Sequence, residues 1–462
     1  MPRAIVIGAG VGGLAAAIAL RRRGHDVRVL EARATTGGLA SSFELDGRIH
    51  DGGPYILLDR PGLEWAFEQL GEQLTDHVEP IALDEVYRVR RPDAPDVAIY
   101  RDLARTAGEL GRAFGRAAGE RYTAFVRRMA AHYAKLEPLQ RRATGQARAL
   151  VLGGMVREAL FLVRGLDHHL RASGLPAPVR DALGIWTHIA GQPLAEAPAP
   201  LAFVPALIHT RGAYTIRGGI GRITHALAAI AAERGVELQL AARVTRIVRD
   251  RRRVLGVELA SGERLSADLV ISNAPGIATY ARLLDPPDER LRAETTALAL
   301  QSPGVAAYLH ADVAPNVPFL QFWLPGGDEQ CRVLVHAGAV DDTRRGTLRV
   351  VSPTPHLWAE RAGAEGQRAL LARILAEPWW QAGVREPRVV ASRIPIEWGR
   401  DFHLWRDSMN PTMTARFMRR GRLAHQSPVA DNLLLAGSAT HPGQWVSFCA
   451  ISGVLAAEQA RW

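Results

Sequence analysis

The chain has 462 residues, of which 47% are hydrophobic and 23% charged, a composition typical of a globular protein of two or three domains with a large core. Its formal net charge is +10 at pH 7, yet no basic block with interleaved aromatic residues occurs, which argues against nucleic-acid binding. No uninterrupted apolar stretch reaches the roughly twenty residues that a spanning helix needs, and Cys331 and Cys449 match no metal or redox spacing, so we predict a cytoplasmic protein without a metal site.

The first residues combine a basic start with a long uncharged stretch, Ala4–Leu20, which is compatible with a secretory leader. Glycines within this stretch argue against a leader, because they would weaken its helix at the centre. Their spacing, Gly-x-Gly-x-x-Gly over residues 8–13, is typical of a turn between a buried strand over Ala4–Ile7 and a helix over Leu14–Arg23. The sequence therefore predicts a dinucleotide-binding fold.

Each glycine of this motif has a physical role in holding a pyrophosphate. Gly8 permits the tight turn out of the strand, Gly10 lets backbone N–H groups approach the phosphates, and Gly13 lets the helix pack closely. The helix N-terminus then faces the anion with its partial positive charge. A second predicted strand, Val27–Leu30, ends at Glu31, whose carboxylate would accept hydrogen bonds from a ribose and repel the 2′-phosphate of NADP. The motif leaves NAD and FAD open.

A second glycine pair, Gly37-Gly38, follows the second strand. An NAD-dependent dehydrogenase has no need of glycines here, whereas the chain of a large flavoprotein must turn back beside the FAD pyrophosphate. The pair therefore favours FAD over NAD.

Residues 100–190 are predicted to be mainly helical, and three helices are expected there: Leu103–Ala118, Tyr122–Leu136 and Ala147–Leu166. The third helix is open to two interpretations. It is either an ordinary buried helix of a cap over the substrate, or a membrane-dipping helix that admits a lipid substrate. In the second case Arg148, Arg157 and Arg164 would meet lipid head groups.

The second half of the chain alternates helices and strands. The predicted elements are a helix over Gly219–Arg234, strands over Val236–Leu240, Ala242–Val248, Val305–His310 and Leu348–Ser352, and a helix over Glu365–Ala376. A buried strand over Asn432–Ala436 then runs into a glycine turn, Gly437–Gly443, and a final helix, Val446–Arg461. The N-terminus of that helix is aimed at the flavin end of a dinucleotide.

With these motifs in order along the chain, the sequence resembles the FAD-dependent amine oxidase superfamily and, within it, the bacterial phytoene desaturase and carotenoid desaturase/isomerase group. The resemblance is carried by residues 8–13, 31–38, Asp51-Gly52-Gly53-Pro54, Arg217-Gly218-Gly219-Ile220-Gly221, Ser272-Asn273-Ala274 and residues 437–443. The first two stretches mark flavoproteins broadly. The others are more particular to the carotenoid desaturase-like group.

The resemblance implies an α/β fold class with a Rossmann-like FAD-binding domain that is discontinuous in sequence. Its pieces would be residues 1–75, 210–285 and 420–462. Residues 76–209 and 286–419 would form an inserted α+β substrate domain with a helical cap.

The resemblance also implies how FAD would be held. The first motif and Glu31 would bind the ADP part, the backbone of Val244 would bind adenine, and Gly53 to Tyr55 would approach the isoalloxazine. Gly437 and Ser438 would reach the pyrophosphate and ribityl chain. The full predicted cofactor site is Gly8, Gly10, Val11, Gly12, Gly13, Glu31, Ala32, Arg33, Gly38, Leu39, Gly53, Pro54, Tyr55, Val244, Asn273, Gly437, Ser438, Trp445 and Val446.

Two residues are hypothesised to act in the reaction. Arg217 would stabilise charge on the reduced flavin, or else form a salt bridge that fixes the neighbouring glycine turn. Trp445 stands where the family commonly has glycine, so its indole would reshape the cavity beside the flavin. Leu39 is a second departure, because the family commonly has arginine there.

By resemblance, the activity is the desaturation of a carotenoid or other polyene, with a hydride passing to flavin N5 in an apolar tunnel. The partner is then an apolar small molecule, with peripheral contact to the inner face of the membrane as a further hypothesis. Three alternatives stay open: an amine oxidase, a polyene isomerase or saturase, and a non-catalytic FAD-containing lipid binder. The sequence does not indicate an oligomeric state.

Overall fold

A five-stranded parallel sheet, here called the central sheet, gathers strands from three distant parts of the chain. The computed structural model describes residues 1–143, 150, 152–190, 192–325, 333–338 and 341–461. In spatial order the strands are Leu433–Leu435, Leu269–Ser272, Arg3–Ile7, Asp26–Leu30 and Glu237–Gln239. They fall within the three segments predicted for the FAD-binding domain. The exact boundaries of that domain stay a prediction.

The N-terminal helix, Val11–Arg22, and the C-terminal helix, Val446–Glu458, pack side by side against the central sheet. Their contact is close because both carry glycine where they meet. A Cβ added at Gly453 would lie 2.2 Å from the carbonyl oxygen of Gly12. The N-terminal helix is buried from Val11 to Leu20, so its apolar composition reflects a helix enclosed on all sides.

A seven-stranded mixed sheet forms the second layer. Its spatial order is Val384–Arg393, Val305–Val313, Thr347–Ser352, Val333–Ala337, Leu320–Trp323, Glu85–Arg91 and Ala94–Tyr100. The predicted strands Val305–His310 and Leu348–Ser352 are its second and third members. The helix His356–Ala376 packs on this sheet, and it starts earlier than the predicted Glu365, with a break at Gly363, where φ is 58°.

A helical layer covers the other side of the seven-stranded sheet. Its helices are Leu103–Phe114, Arg116–Gln140, Val156–Val163, Leu166–Arg171, Ala177–Gly184 and Val204–Arg211. The first two are separated at Gly115, where φ is 91°, a conformation that favours glycine.

The prediction of one helix over Ala147–Leu166 is wrong in its described part. Helix Val156–Val163 ends at Arg164, which is extended, and Gly165 forms a bridge to Pro198. Residues 147–149 and 151 lie outside the described residues. None of the helices in the described ranges has the length and hydropathy required to cross a bilayer.

Smaller elements complete the two layers. Short strands are Ser42–Leu45, Arg48–Asp51, Pro80–Ala82, Tyr214–Ile216, Val244–Asp250, Arg253–Leu259, Arg264–Ser266, Leu284–Asp285, Leu300–Gln301 and Asn410–Pro411. Further α-helices are Arg60–Leu70, Leu74–His77, Gly221–Glu233, Glu289–Thr296, Pro395–Phe402 and Ala415–Arg420.

Candidate functional site

A large cavity lies between the central sheet and the seven-stranded sheet. At one end its wall is the glycine-rich turn after the first strand, and at the other it includes Leu334 and Val351 of the seven-stranded sheet. The cavity therefore joins a dinucleotide-binding edge to a largely apolar chamber.

Three glycines surround the side chain of Asn273 at the dinucleotide end. A Cβ added at Gly10 would lie 3.0 Å from its Nδ2, and one at Gly12 would lie 2.8 Å from its Oδ1. A Cβ at Gly437 would lie only 2.3 Å from the same Oδ1. Any larger residue would displace Asn273, so these glycines keep two loops and the N-terminal helix in close contact. Gly13 has a separate role, because a Cβ there would lie 2.0 Å from the carbonyl oxygen of Gly8.

Glu31 closes this end of the cavity at the carboxyl end of its strand. The side chain is buried and lines the cavity. Its carboxylate accepts hydrogen bonds from the backbone N–H groups of Ala9 and Arg33, each at 2.8 Å. The two bonds fix its orientation and leave further lone pairs on both oxygens for ribose hydroxyl groups.

The middle of the cavity is built by Gly53, Pro54 and Tyr55. A Cβ at Gly53 would lie 2.0 Å from the carbonyl oxygen of Leu39, which explains the glycine. The carbonyl oxygen of Gly53 accepts a hydrogen bond of 2.6 Å from Nη1 of Arg349. Tyr55 is buried, and burial raises the pKa of its hydroxyl, so that it stays protonated.

The loop before the C-terminal helix supplies the last part of the wall. The Ser438 hydroxyl donates to Oδ1 of Asn410 at 2.6 Å, and the N–H of Gly437 donates to Oγ of Ser452 at 2.9 Å. Trp445 stands at the N-cap of the C-terminal helix, and its ring stacks on Phe448 with centroids 4.9 Å apart. The indole is held at the cavity by this stack.

Most residues of the predicted cofactor site line one cavity. They are Gly8, Gly10, Val11, Gly12, Glu31, Ala32, Arg33, Gly38, Leu39, Gly53, Pro54, Tyr55, Val244, Asn273, Ser438, Trp445 and Val446. Gly13 and Gly437 lie behind the wall and support it through the close contacts described above. Their individual contacts with FAD stay predictions.

Arg217 requires a correction, because the structure does not bring it to the cavity. Its side chain is 53% exposed and forms a bidentate ion pair with Glu79, with N–O distances of 2.6 and 2.8 Å. The expected role in stabilising reduced flavin is therefore replaced by the salt-bridge interpretation. A short strand pair between Pro80–Ala82 and Tyr214–Ile216 directs the residue to the surface.

Sequence reasoning missed four charged residues in the cavity wall, Asp59, Arg243, Arg282 and Arg349. Arg349 is buried within an apolar strand, and an isolated arginine among valines was the signal that could have identified it. Asp59 is the N-cap of helix Arg60–Leu70, and burial is the main cause that raises the pKa of its carboxyl group. No group of three His, Cys, Asp or Glu residues in the described part of the chain is arranged to hold a metal ion.

Known proteins are similar to this chain in sequence and in fold. The family model of flavin containing amine oxidoreductases matches residues 11–310. The zeta-carotene-forming phytoene desaturase of Myxococcus xanthus is 29% identical over 99% of this chain and 93% of its own length. The hydroxyneurosporene desaturase of Cereibacter sphaeroides is 33% identical over 62% of this chain and 58% of its own. A solved putrescine oxidase, bound to putrescine, superposes with a TM-score of 0.68 at 18% identity, covering 99% of this chain and 98% of that one.

The chain belongs to the flavin-containing amine oxidoreductase family. The predicted superfamily, α/β fold class and FAD cofactor are thereby confirmed. The residues present fit FAD, because the glycine cradle around Asn273 would be filled by any Cβ and Glu31 is oriented for a ribose. Arg33 adds a buried Nη1 with no hydrogen-bond partner in the described residues.

Proposed function

We propose that this protein is an FAD-dependent oxidoreductase that forms C=C bonds in a polyene. The observation that carries the proposal is the apolar chamber continuous with the dinucleotide edge. Its wall includes Trp186, Leu201, Val204, Leu334 and Val351. An apolar chamber of this kind suits a substrate without charged groups along its reacting segment.

The relatives support the same substrate class. Proteins whose names describe the desaturation of phytoene, hydroxyneurosporene and 4,4′-diapophytoene are 26–33% identical to this chain. The Myxococcus xanthus relative matches over nearly the whole chain, so both the cofactor-binding and the inserted segments take part in the likeness.

The residues of this chain would position the substrate and exclude water. When bound, FAD supplies the acceptor for the hydride that leaves the substrate carbon. The apolar residues around Trp186 exclude water from the reacting segment and hold that segment by packing. Trp445 limits the space beside the N-terminus of the C-terminal helix, and its contact with Phe448 keeps the indole in place.

Amine oxidation is disfavoured by the charge of the chamber. Arg349 is a buried cation in its wall, and a cationic amine placed nearby would be repelled in a medium of low dielectric constant. The likeness to putrescine oxidase, at 18% identity, concerns the fold alone.

Anaerobic mixing tests the proposal. The oxidised holoenzyme is mixed with a carotene, and the flavin absorbance should bleach while a red-shifted polyene appears. Bleaching by amines instead would identify an amine oxidase, and activity only after prior reduction would identify an isomerase or saturase. If the flavin stays oxidised with every carotene and amine, and the reduced enzyme is also inactive, the protein is a non-catalytic lipid binder.

We also propose that the helical layer contacts an anionic membrane surface. Four apolar side chains are strongly exposed: Leu152, Val156, Leu160 and Val163, at 75, 67, 59 and 56%. The last three share one face of helix Val156–Val163 because they are spaced by four and three residues. Exposed Arg157 and Arg164 flank this apolar face, and such arginines attract anionic lipid.

Liposome sedimentation at low salt tests the membrane proposal. Wild-type protein should bind phosphatidylglycerol vesicles and bind phosphatidylcholine vesicles more weakly, and Leu160→Asp should reduce binding severalfold. The matched control is Leu357→Asp, which changes a leucine of similar exposure, 61%, on a different helix. Equal loss in both variants, or no binding by the wild type, would contradict the proposal.

A further inference from the structure

One face of the seven-stranded sheet combines apolar side chains with a buried cation, Arg349. Arg349 and Val351 lie on the same face of strand Thr347–Ser352, because side chains alternate along a strand. Opposite them on the neighbouring strand are His336 and Leu334. Burial lowers the pKa of His336 well below its ordinary value, so the imidazole is neutral and Arg349 provides the charge.

Among the described residues, no carboxylate balances the charge of Arg349. Its side chain is only 8% exposed. Nη1 donates to the carbonyl oxygens of Asp51 and Gly53, at 2.9 and 2.6 Å, and Nε is buried with no acceptor in the part of the chain that the structure describes. Within the described ranges, Arg349 has no carboxylate oxygen within 4 Å. The nearby carboxylate of Asp51 is already bound by Arg344 and by the hydroxyl of Ser42.

Tyr55 adds a second unused donor beside this cation. The guanidinium carbon of Arg349 lies 5.7 Å from the centre of the Tyr55 ring, and both side chains line the cavity. The Tyr55 hydroxyl is buried and has no hydrogen-bond partner in the described part of the molecule. Two neighbouring donors without acceptors favour an oxygen atom of a ligand at this point.

A buried guanidinium without a counter-ion is costly, and a ligand carboxylate would offset that cost with charge-assisted hydrogen bonds. We propose that Arg349 and Tyr55 bind the carboxylate of the substrate, which is therefore an elongated apolar molecule with an acidic end. The apolar residues Leu334 and Val351 would receive the chain next to that carboxylate. This inference rests on the proposed function in one respect, since it takes the chamber to be the substrate site.

The arrangement would also fix the position of the substrate along the chamber. A substrate anchored at Arg349 can present only one segment to the flavin end of the cavity. The distance from its carboxylate therefore determines which bond reacts. Arg349 and Tyr55 are thus specificity-determining residues.

Binding to the oxidised holoenzyme tests the inference without turnover. All-trans-retinoic acid and its methyl ester differ only in the charged end, and their affinities are measured by calorimetry. Wild-type protein should bind the acid about ten- to a hundredfold more tightly than the ester, the range expected for a charge-assisted hydrogen bond. Equal affinities, or no binding of either probe, would overturn the inference.

Three variants test which residues cause the preference for the acid over the methyl ester. Arg349→Met should abolish it by weakening the acid alone, and Tyr55→Phe, which removes one hydroxyl, should reduce it severalfold. Arg388→Met is the control, because Arg388 lies exposed on the same sheet and pairs with Asp46. If Arg349→Met fails to fold, Tyr55→Phe decides the matter by itself: an unchanged preference there would overturn the inference.

Two further measurements distinguish the carboxylate site from a role of Arg349 in flavin binding and from the proposed desaturase activity. If Arg349→Met shifts the flavin midpoint potential and leaves the preference for the acid intact, the residue serves the flavin and the inference is wrong. Bleaching of the flavin by a hydrocarbon carotene tests the proposed function independently. An acid preference without bleaching by any polyene would retain the carboxylate site and overturn the desaturase.

Discussion

Nη1 of Arg344 donates to Oδ2 of Asp51 across 3.2 Å, and both side chains are about 1% exposed. The other end of the guanidinium is held by Asp341, whose Oδ2 accepts from Nε at 2.9 Å. Asp51 also accepts from the N–H of Ile220 at 2.7 Å, just before helix Gly221–Glu233. This buried ion pair therefore connects the segment that leads to Gly53 with both layers of the fold.

Replacing Arg344 should destabilise the protein strongly. Arg344→Met leaves Asp51 and Asp341 buried without their cation, and breaking a buried pair in this way costs about 3–5 kcal/mol. Urea denaturation of the holoprotein measures the loss in free energy of unfolding. The adjacent pair Arg345–Asp342 has the same spacing but is 80 and 89% exposed, so Arg345→Met should change stability by about 1 kcal/mol or less. Similar losses in both variants would refute the role of burial.

Gly13 should be essential for FAD binding. In Gly13→Ala the new Cβ would lie 2.0 Å from the carbonyl oxygen of Gly8, so the N-terminal helix must move away from the turn. Overpacking of this kind costs about 1–3 kcal/mol, which corresponds to a loss of about five- to 150-fold in FAD affinity if the cost falls on the bound state. The measurement is the flavin content of purified protein and its recovery on titration with FAD.

Gly108→Ala is the matched control for that variant. Gly108 lies inside helix Leu103–Phe114, and no described atom outside its own helix backbone and chain neighbours lies within 4 Å of the added Cβ. The change should raise stability by up to about 1 kcal/mol, because alanine is the better helix former. Flavin content should be unchanged. Equal flavin loss in both variants would show that helix glycines affect binding only through general stability.

How far the sequence predicts the site depends on the distance along the chain between the groups involved. The turn from Gly8 to Gly13 and the acid at Glu31 lie within the first 31 residues of the sequence, so their spacing alone indicates the dinucleotide edge. The contact between Arg349 and Gly53 joins residues 296 positions apart. It depends on how the seven-stranded sheet packs against the glycine turn, and no local pattern encodes that packing.

Arg217 and the predicted helix over residues 147–166 show where local sequence patterns lead to a wrong prediction. Arg217 is next to a glycine pair, so its sequence position suggested the flavin, but strand pairing turns its side chain to Glu79 and solvent. The apolar periodicity around Val156–Val163 was recognised correctly. The end of that helix was not, because the bridge between Gly165 and Pro198 is set by tertiary contact.

Arg217 should have little effect on flavin chemistry. Arg217→Leu removes an ion pair that is screened by solvent, so the stability of the protein should change little. The rate of anaerobic flavin reduction should stay within about twofold of the wild-type rate, as measured by stopped-flow absorbance. A large decrease in this rate, with flavin content unchanged, would show that Arg217 takes part in the reaction.

Stability should fall as the pH drops from about 6.5 to about 4. Burial, together with His310, Arg48 and Arg349, lowers the pKa of His50 to about 4. Below pH 6.5 the unfolded chain takes up a proton that the folded protein excludes until about pH 4, so protonation favours unfolding across this window. Urea denaturation at several pH values measures the effect.

His50→Gln should make stability less dependent on pH in that window. His50 and His310 form a buried pair with their Nε2 atoms 3.1 Å apart, and glutamine keeps a donor and an acceptor there without an ionisable ring. His168→Gln is the control, because His168 is exposed. The explanation fails if the two variants have the same pH dependence as the wild type.

Trp445 should control which substrates enter the chamber. Its indole stacks on Phe448 and occupies space beside the N-terminus of the C-terminal helix, so Trp445→Gly should enlarge the cavity at that point. A polyene with a bulky ring end should gain severalfold in kcat/KM relative to a slender linear polyene, as followed by the initial rate of flavin bleaching. Trp358→Gly removes a half-buried indole from a different cluster that does not line the cavity, so it should lower stability and leave the ratio of the two substrates unchanged. If Trp358→Gly changes the ratio as much as Trp445→Gly, selection reflects general loosening of the fold. If neither changes it, the width of the chamber is set by residues other than Trp445.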